Sequence, residues 1–216
     1  RPFWILLSAY TLGTLAFNLA GSLLLFYVRY VLVSDSADVY LVIYLVSGVV
    51  LLPAWIVASR RLGKRNSWLI GMASYAVGGV GIFFLGEGDG WIYGILCFVT
   101  GMTFGPTVAI PASMQADVID YDELLTGERR EGLYMGLWAV VRKFAAAIGV
   151  GVALPILSAV GYEPNVDQTD TTKLALRVLY VGVPVICNLL AMAIAWRYPI
   201  DEEEHLRIRA TIDAGR

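Results

Sequence analysis

The chain has 216 residues, of which 58% are hydrophobic and 16% charged, with a formal net charge of −2 and a mean hydropathy of +0.68. Soluble domains place about a quarter of their residues as charge, so this chain has too little polar surface to cover a water-exposed fold, and an ordinary soluble enzyme is excluded. The scattered basic residues make no patch for nucleic acid, and Cys97 and Cys187 both sit inside apolar runs, where two free thiols are expected rather than a disulfide.

The apolar residues fall into six runs of about 20 residues each, the length an α-helix needs to cross a bilayer core about 30 Å thick. The predicted fold is therefore an all-α membrane protein with six transmembrane helices. In chain order the spans cover about Phe3 to Tyr27, Val39 to Ala58, Trp68 to Leu85, Trp91 to Ala112, Leu133 to Ala159 and Leu174 to Trp196, followed by a polar tail over 198–216. Trp4, Trp68, Trp91 and Trp196 stand at run ends, where amphipathic rings settle at the headgroup level. The opening Arg1-Pro2-Phe3-Trp4 enters a span with no initiator methionine, charged leader or cleavage site, so the chain is expected to begin inside a longer protein.

In the first span Thr11, Thr14, Asn18 and Ser22 recur at helical spacing beside Tyr10. Such a stripe suits binding of a neutral hydroxylated solute, with Asn18 and Thr14 the candidates, or else helix–helix hydrogen bonding, which these residue types also supply in membranes. Asn188 in the last span is read as the latter. After the second span, Ser59-Arg60-Arg61-Leu62-Gly63-Lys64-Arg65-Asn66 forms a tight basic turn.

Short loops rich in Lys and Arg are retained in the cytoplasm. One set of segments holds Arg1, Arg60, Arg61, Lys64, Arg65, Arg129, Arg130, Arg197, Arg207, Arg209 and Arg216, while the alternate set holds Arg29 and Lys173 with Arg177 at its margin. Both termini are thus expected in the cytoplasm. The segments Gly101 to Gly105 and Gly132 to Gly136 have the small-xxx-small spacing that lets helices approach closely. Pro106, Pro111, Pro155 and Pro184 interrupt spans four to six, where a missing amide donor permits kinks.

The fifth span carries Arg142 and Lys143, about ten residues and so about 15 Å into the helix at 1.5 Å per residue. A cation near the bilayer centre costs about 2.5 to 3.5 kcal/mol on insertion scales and normally faces protein or a water-filled cavity. Adjacent side chains diverge by about 100°. Lys143 is assigned to a solute cavity and Arg142 to a contact within the bundle, the alternative for either being an internal ion pair or a side chain that snorkels to the interface.

Between spans four and five, Asp117, Asp120, Tyr121, Asp122 and Glu123 are followed by Glu128, Arg129, Arg130 and Glu131. Opposite charges at the mouth of two helices can pair in one conformation and separate in another, which biases a two-state element; Arg60 and Arg61 are further candidates for this gate. Asp117, Asp120 and Glu123 at i, i+3 and i+6 raise the question of metal binding or catalysis. The single histidine, His205, lies in the tail, and no catalytic triad, HExxH, CxxC or phosphate-loop pattern occurs, so neither an enzyme nor a cofactor is expected.

This charged segment resembles the signature of the glycoside-pentoside-hexuronide:cation symporters, the major-facilitator branch containing the melibiose permease. The resemblance rests on Met114, Ala116, Asp117, Asp120, Tyr121, Glu123, Arg129, Glu131 and Lys143. It extends to Phe26-Tyr27-Val28-Arg29-Tyr30-Val31-Leu32, to Gly161-Tyr162-Glu163-Pro164-Asn165-Val166, and to Tyr198-Pro199 before an acidic tail. It implies the last six of twelve helices of a carrier that holds a small polar solute, a sugar or glycoside, between two halves and exposes it to each side in turn. Lys143 falls on a family lysine near the sugar site, and Asp117 to Glu131 on the loop that closes the cytoplasmic side. The partners so implied are the lipid bilayer, the solute and the N-terminal six-helix half. The coupling ion, Na+ or H+, belongs mainly to that other half. Two positions depart from the melibiose branch: Val108 stands for a tryptophan that lines the sugar site, and Ala139 for a threonine one turn before the lysine. These changes disfavour a melibiose-like galactoside and leave open other solutes, among them a lysolipid, since the animal lysophospholipid symporter is also similar. A non-transporting membrane receptor or assembly domain is the reading of a different class.

Overall fold

The computed structural model describes residues 2–200 together with 204, 207, 208, 210 and 211. Arg1, His205, Arg209 and Arg216 lie outside the described residues. Among those described, every regular element is helical.

Helix α1 (Pro2–Tyr30) is unbroken over 29 residues, about 43 Å at 1.5 Å per residue. It buries Leu6, Ala9, Ala16, Leu19, Leu23 and Tyr27, a stripe at helical spacing that packs along α7 (Glu131–Ala159) and α9 (Val183–Ala195). The second predicted span is two helices, α2 (Ala37–Val50) and α3 (Leu52–Leu62), bent by 45°. Pro53, at the start of α3, supplies no amide to the preceding turn and crowds its carbonyl. Helix α4 (Lys64–Phe83) is 20 residues long and starts after Gly63, whose φ of 81° lies where side chains with a Cβ are strained.

The fourth span is also split, into α5 (Gly90–Gly101) and α6 (Phe104–Thr126). The break falls one turn before Pro106, which has no N–H to give the Met102 carbonyl. The Trp55 indole of α3 donates to that carbonyl instead, at 2.8 Å. A proline kink is thus made into a helix–helix bond, which satisfies a backbone group that lipid would leave bare. Pro111 and Pro155 sit inside α6 and α7, which continue through them. The last span runs through α8 (Asp170–Arg177), a π turn (Val178–Gly182) and α9, with Pro184 just after the π turn.

Four of these stretches are long and apolar enough to cross a membrane, and the bent α2–α3 pair makes a fifth. Helix α4 coincides with the remaining predicted span. Its glycines at 71, 78, 79 and 81 and its Lys64-Arg65-Asn66 start lower its hydropathy. The protein is therefore an all-α membrane bundle.

Packing is organised in two layers along the bundle. At the basic end Phe3, Trp68, Met114, Trp138 and Tyr198 form one cluster. At the other end Tyr27, Tyr93, Tyr180, Leu157 and Leu176 form the second. Tyr27 donates to the Ile82 carbonyl at 2.6 Å and the Tyr93 and Tyr180 hydroxyls meet at 2.7 Å, so the large rings there carry polar ends that are satisfied. Buried Asn188 donates to the Met72 carbonyl at 2.7 Å, the helix–helix role read for it.

The two small-residue motifs have different fates. Gly101 and Gly105 face α2, where Gly48 approaches them: a Cβ on Gly48 would stand 2.9 Å from the Gly101 carbonyl oxygen and 2.9 Å from Phe104 Cβ. Gly132 and Gly136 face outward, with nothing within 4 Å of a Cβ on either. Gly48→Leu is therefore expected to destabilise the bundle by about 1–3 kcal/mol through overpacking, whereas Gly136→Ala leaves it unchanged. Thermal melting of the purified protein reads both, and equal melting of the two variants would contradict this packing.

Candidate functional site

Helix α6 runs on past the predicted span end at Ala112 to Thr126, so the acidic residues expected in a loop are helical. Only residues 127–130 connect α6 to α7. The helix persists because Met114, Val118 and Ile119 keep one face buried, and it stops at Gly127, whose φ of 71° is left-handed and whose N–H caps the Glu123 carbonyl at 2.8 Å.

A helical Asp117–Glu123 segment presents its carboxylates in a fixed order. Asp117 and Asp120, buried, point toward the bundle. The Lys64 ammonium donates to both Asp117 oxygens at 2.7 Å, locking the α3–α4 turn to α6. Arg129 donates to Asp120 at 3.0 Å and Glu123 at 2.9 Å, one helical turn apart, and to Glu131 at 3.3 Å. Arg130 forks onto Asp122 at 2.7 and 3.0 Å. Nearby, Arg65 donates to the Tyr198 carbonyl at 3.2 Å, and the Gln115 amide donates to the Tyr134 carbonyl at 3.3 Å. Three helix ends and two turns are thus tied by charge at one end of the bundle.

Of the residues expected at this gate, Asp117, Asp120, Glu123, Arg129, Arg130 and Glu131 are brought together. Tyr121 is half-buried against the adjoining apolar cluster. Arg60 and Arg61 are exposed and form no ion pair among the described residues; the basic turn engages through Lys64 instead. Lys64 is therefore the member that sequence reasoning passed over, although it lies within the basic turn singled out, and Asp122, named only as part of the charged segment, is the partner of Arg130.

The Arg130 fork holds the Asp122 carboxyl below its ordinary range, against the opposing effect of burial, with Tyr134 assisting. Arg129 is held protonated by Glu123 and Asp120. A depressed carboxyl pKa contributes stability that is present at neutral pH and lost only as pH falls through the depressed value. The difference in melting between the native protein and Asp122→Asn is therefore expected to persist down through pH 5 and to close only below the usual carboxylate range, near about 4. A difference that disappears between pH 6 and 5 would show that Arg130 does not hold this carboxylate.

Deeper in the bundle, Tyr10 stacks on Trp138 with ring centroids 4.1 Å apart, and Gly149 is packed against Asn18 and Leu19. Helices α1 and α7 therefore run parallel, and Lys143, between the two α7 contacts, lies near the level of Thr14. Its side chain leaves α7 on the side away from α1, more than 100° round from the buried Ala145 and Gly149 at 100° per residue. Lys143 and Arg142 are exposed and form neither hydrogen bond nor ion pair among the described residues. The hydrogen bond or ion pair within the bundle expected for Arg142 is thus not formed among the described residues. Asn18 donates to the Thr14 carbonyl of its own helix at 2.8 Å, as Thr11 does to Leu7 at 2.7 Å and Ser22 to Leu19 at 2.8 Å. Three of the four stripe residues thus bond their own helix rather than another. Asn18 and Thr14 are partly exposed, and no contact joins them to Lys143.

No group of three or more His, Cys, Asp or Glu side chains among the described residues could hold a metal ion. Asp117 and Asp120, the pair considered for catalysis, are engaged by Lys64 and Arg129.

A helical bundle of this build, charged at one end and with two exposed cations on a membrane-spanning helix, defines a polytopic membrane protein whose polar features are arranged for contact with solute or with further protein. The chain belongs to the MFS/sugar transport protein family, whose profile matches residues 1–202. It is 32% identical over 196 residues to a glucuronide carrier protein homolog of Escherichia coli, covering 88% of this chain and 42% of that protein. It is 30% identical over 207 residues to the sodium-dependent lysophosphatidylcholine symporter 1-A of Danio rerio, covering 94% and 38%. With a putative sulfoquinovose importer of Salmonella typhimurium the identity is 28% over 211 residues, covering 94% and 43%. The chain spans about two-fifths of the length of these curated relatives.

Proposed function

We propose that this chain is the C-terminal six-helix half of a secondary active carrier, not an enzyme, that moves a small polar solute, a sugar or glycoside, together with Na+ or H+ by alternating access. The observation that carries this reading is Lys143: a cation on a membrane-spanning helix, exposed and without a protein partner among the described residues. An unpaired charge at that depth is stable only beside water, solute or further protein. In the proposed carrier Lys143 and Arg142 on α7 and Thr14 and Asn18 on α1 reach a solute pathway from different sides, and its other wall is the N-terminal half. That half carries the cation site. The charge excess places the basic end and both termini in the cytoplasm of a cell whose plasma or inner membrane holds the carrier. Relatives named as carriers of a glucuronide and a sulfoquinovose support an anionic sugar as the solute, for which a lysine is a natural counter-ion. A lysolipid is the second reading, supported by the 30% identity to the lysophosphatidylcholine symporter.

In this reading the Lys64–Asp117 and Arg129–Asp120–Glu123 bonds hold one conformation and release in another. Exchanging the first pair, Lys64→Asp with Asp117→Lys, is expected to restore most of the uptake that either single change removes. Double-mutant uptake no better than the singles would return these charges to a merely structural role. For the solute contact, Lys143→Ala in the whole carrier should lower uptake at least tenfold while surface biotinylation shows unchanged insertion; unchanged uptake would sink the assignment.

A further inference from the structure

Between α1, α2, α4, α5 and the π turn lies a cavity of about 280 Å³. No residue of the Thr11–Ser22 stripe lines it, and no charged side chain does. On α1 its wall is Phe17, Ala20, Gly21, Leu24 and Leu25; Phe17, Gly21 and Leu25 fall within about 60° of Thr14 at 100° per residue, so one edge of the wall continues the Thr14 face along the helix. Gly21 and Leu25 are exposed, so the cavity opens beside that face.

The Thr100 hydroxyl in the lining is satisfied by the Leu96 carbonyl of its own helix, and two polar handles are left unoccupied. The hydroxyls of Tyr44 and Tyr75, both lining residues, make no hydrogen bond among the described residues. The third tyrosine, Tyr180, is occupied with Tyr93 at 2.7 Å. Two phenol donors in an apolar chamber are costly unless something accepts from them. The back wall is the π turn, which supplies Tyr180 and Val181. Such turns survive in helices mainly where function needs the altered register. Gly79 makes room for Val185 of α9, just beyond that turn, and also lines the chamber.

We propose that this chamber binds the uncharged apolar part of the transported solute, a ring system or short chain that carries a hydrogen-bond acceptor for Tyr44 or Tyr75. The proposal rests on the carrier reading above, with the polar part of the solute on the Thr14 face. An engineered apolar cavity of about 150 Å³ holds benzene, so a chamber of this volume suits about twelve heavy atoms. An aglycone of one or two rings meets that description, and the absence of charge in the lining excludes the sugar acid itself.

Cys97 lines the chamber and reports on it directly, through a readout independent of transport. The whole carrier in lipid nanodiscs is treated with methyl methanethiosulfonate, and modification of the Cys97 peptide is followed by mass spectrometry with and without 2-naphthol, a neutral bicyclic probe of suitable size. Saturating 2-naphthol is expected to slow the native reaction about tenfold. Gly21→Leu, whose new side chain enters open space since nothing lies within 4 Å of a Cβ there, should fill the chamber and leave a slow rate that the probe no longer changes. A 4-nitrophenyl glycoside should protect Cys97 where its methyl counterpart does not. Three results would overturn the proposal: no protection by 2-naphthol, equal protection in the native and Gly21→Leu carriers, or a native rate already as slow as that of Gly21→Leu, as a resident bilayer acyl chain would give. Protection by 2-naphthol with no uptake of any glycoside would instead count against the carrier reading and leave the chamber in place.

Discussion

A bilayer core offers no hydrogen bonds, so each polar group of a spanning helix must find its partner in protein or face a pathway. That constraint sorts the polar residues of this bundle. Thr11, Asn18 and Ser22 turn back on their own helix. Asn188 and Trp55 bridge to carbonyls of neighbouring helices, the latter to one freed by a proline. Beside the enclosed Ser67 hydroxyl and Trp68 indole of α4, which find no partner among the described residues, the accessible groups left over include Thr14 on α1, Arg142 and Lys143 on α7, and the hydroxyls of Tyr44 and Tyr75 in the apolar chamber. Accessible groups left over in so strict an accounting are the ones through which a solute can be recognised.

The charged end follows a different economy, because water is at hand. Surface ion pairs there are screened by water and individually weak, and exposed Arg130 with Asp122 is of that kind. Asp117 and Asp120 differ, with side chains only 7% and 4% exposed, so their cations are needed to keep them inside. Lys64 reaches Asp117 across two helix ends, and Arg129 reaches Asp120 from the connection to α7. Movement of α3–α4 against α6 must break or exchange the first bond and movement of α7 against α6 the second, which makes them suited to bias two packings of one bundle.

The all-helical membrane bundle was legible because length and hydropathy suffice for it, and Asn188 was legible because a lone amide in an apolar helix has few other uses. The split of the second span was missed, although Pro53 announced it. The break in the fourth span was expected from its prolines but not its position one turn before Pro106, which depends on Trp55 arriving from another helix. The acidic segment reads as a loop on charge alone and as a helix once Met114, Val118 and Ile119 are seen to keep one face buried. Lys64 was hidden among four equivalent cations in one turn, and only the fold shows which of them meets Asp117. The chamber has no sequence signal, since its leucines and tyrosines resemble those of any core.

The claim on which the functional account turns is that the Lys143 face of α7 lines a pathway open to each side of the membrane in turn. Ala147 lies one helical turn from Lys143 on that face and is exposed. A whole carrier with a single cysteine at position 147 should react with a membrane-impermeant maleimide added from either side, with solute and coupling ion shifting the two rates in opposite directions. Reaction from one side only, unmoved by solute, would contradict it.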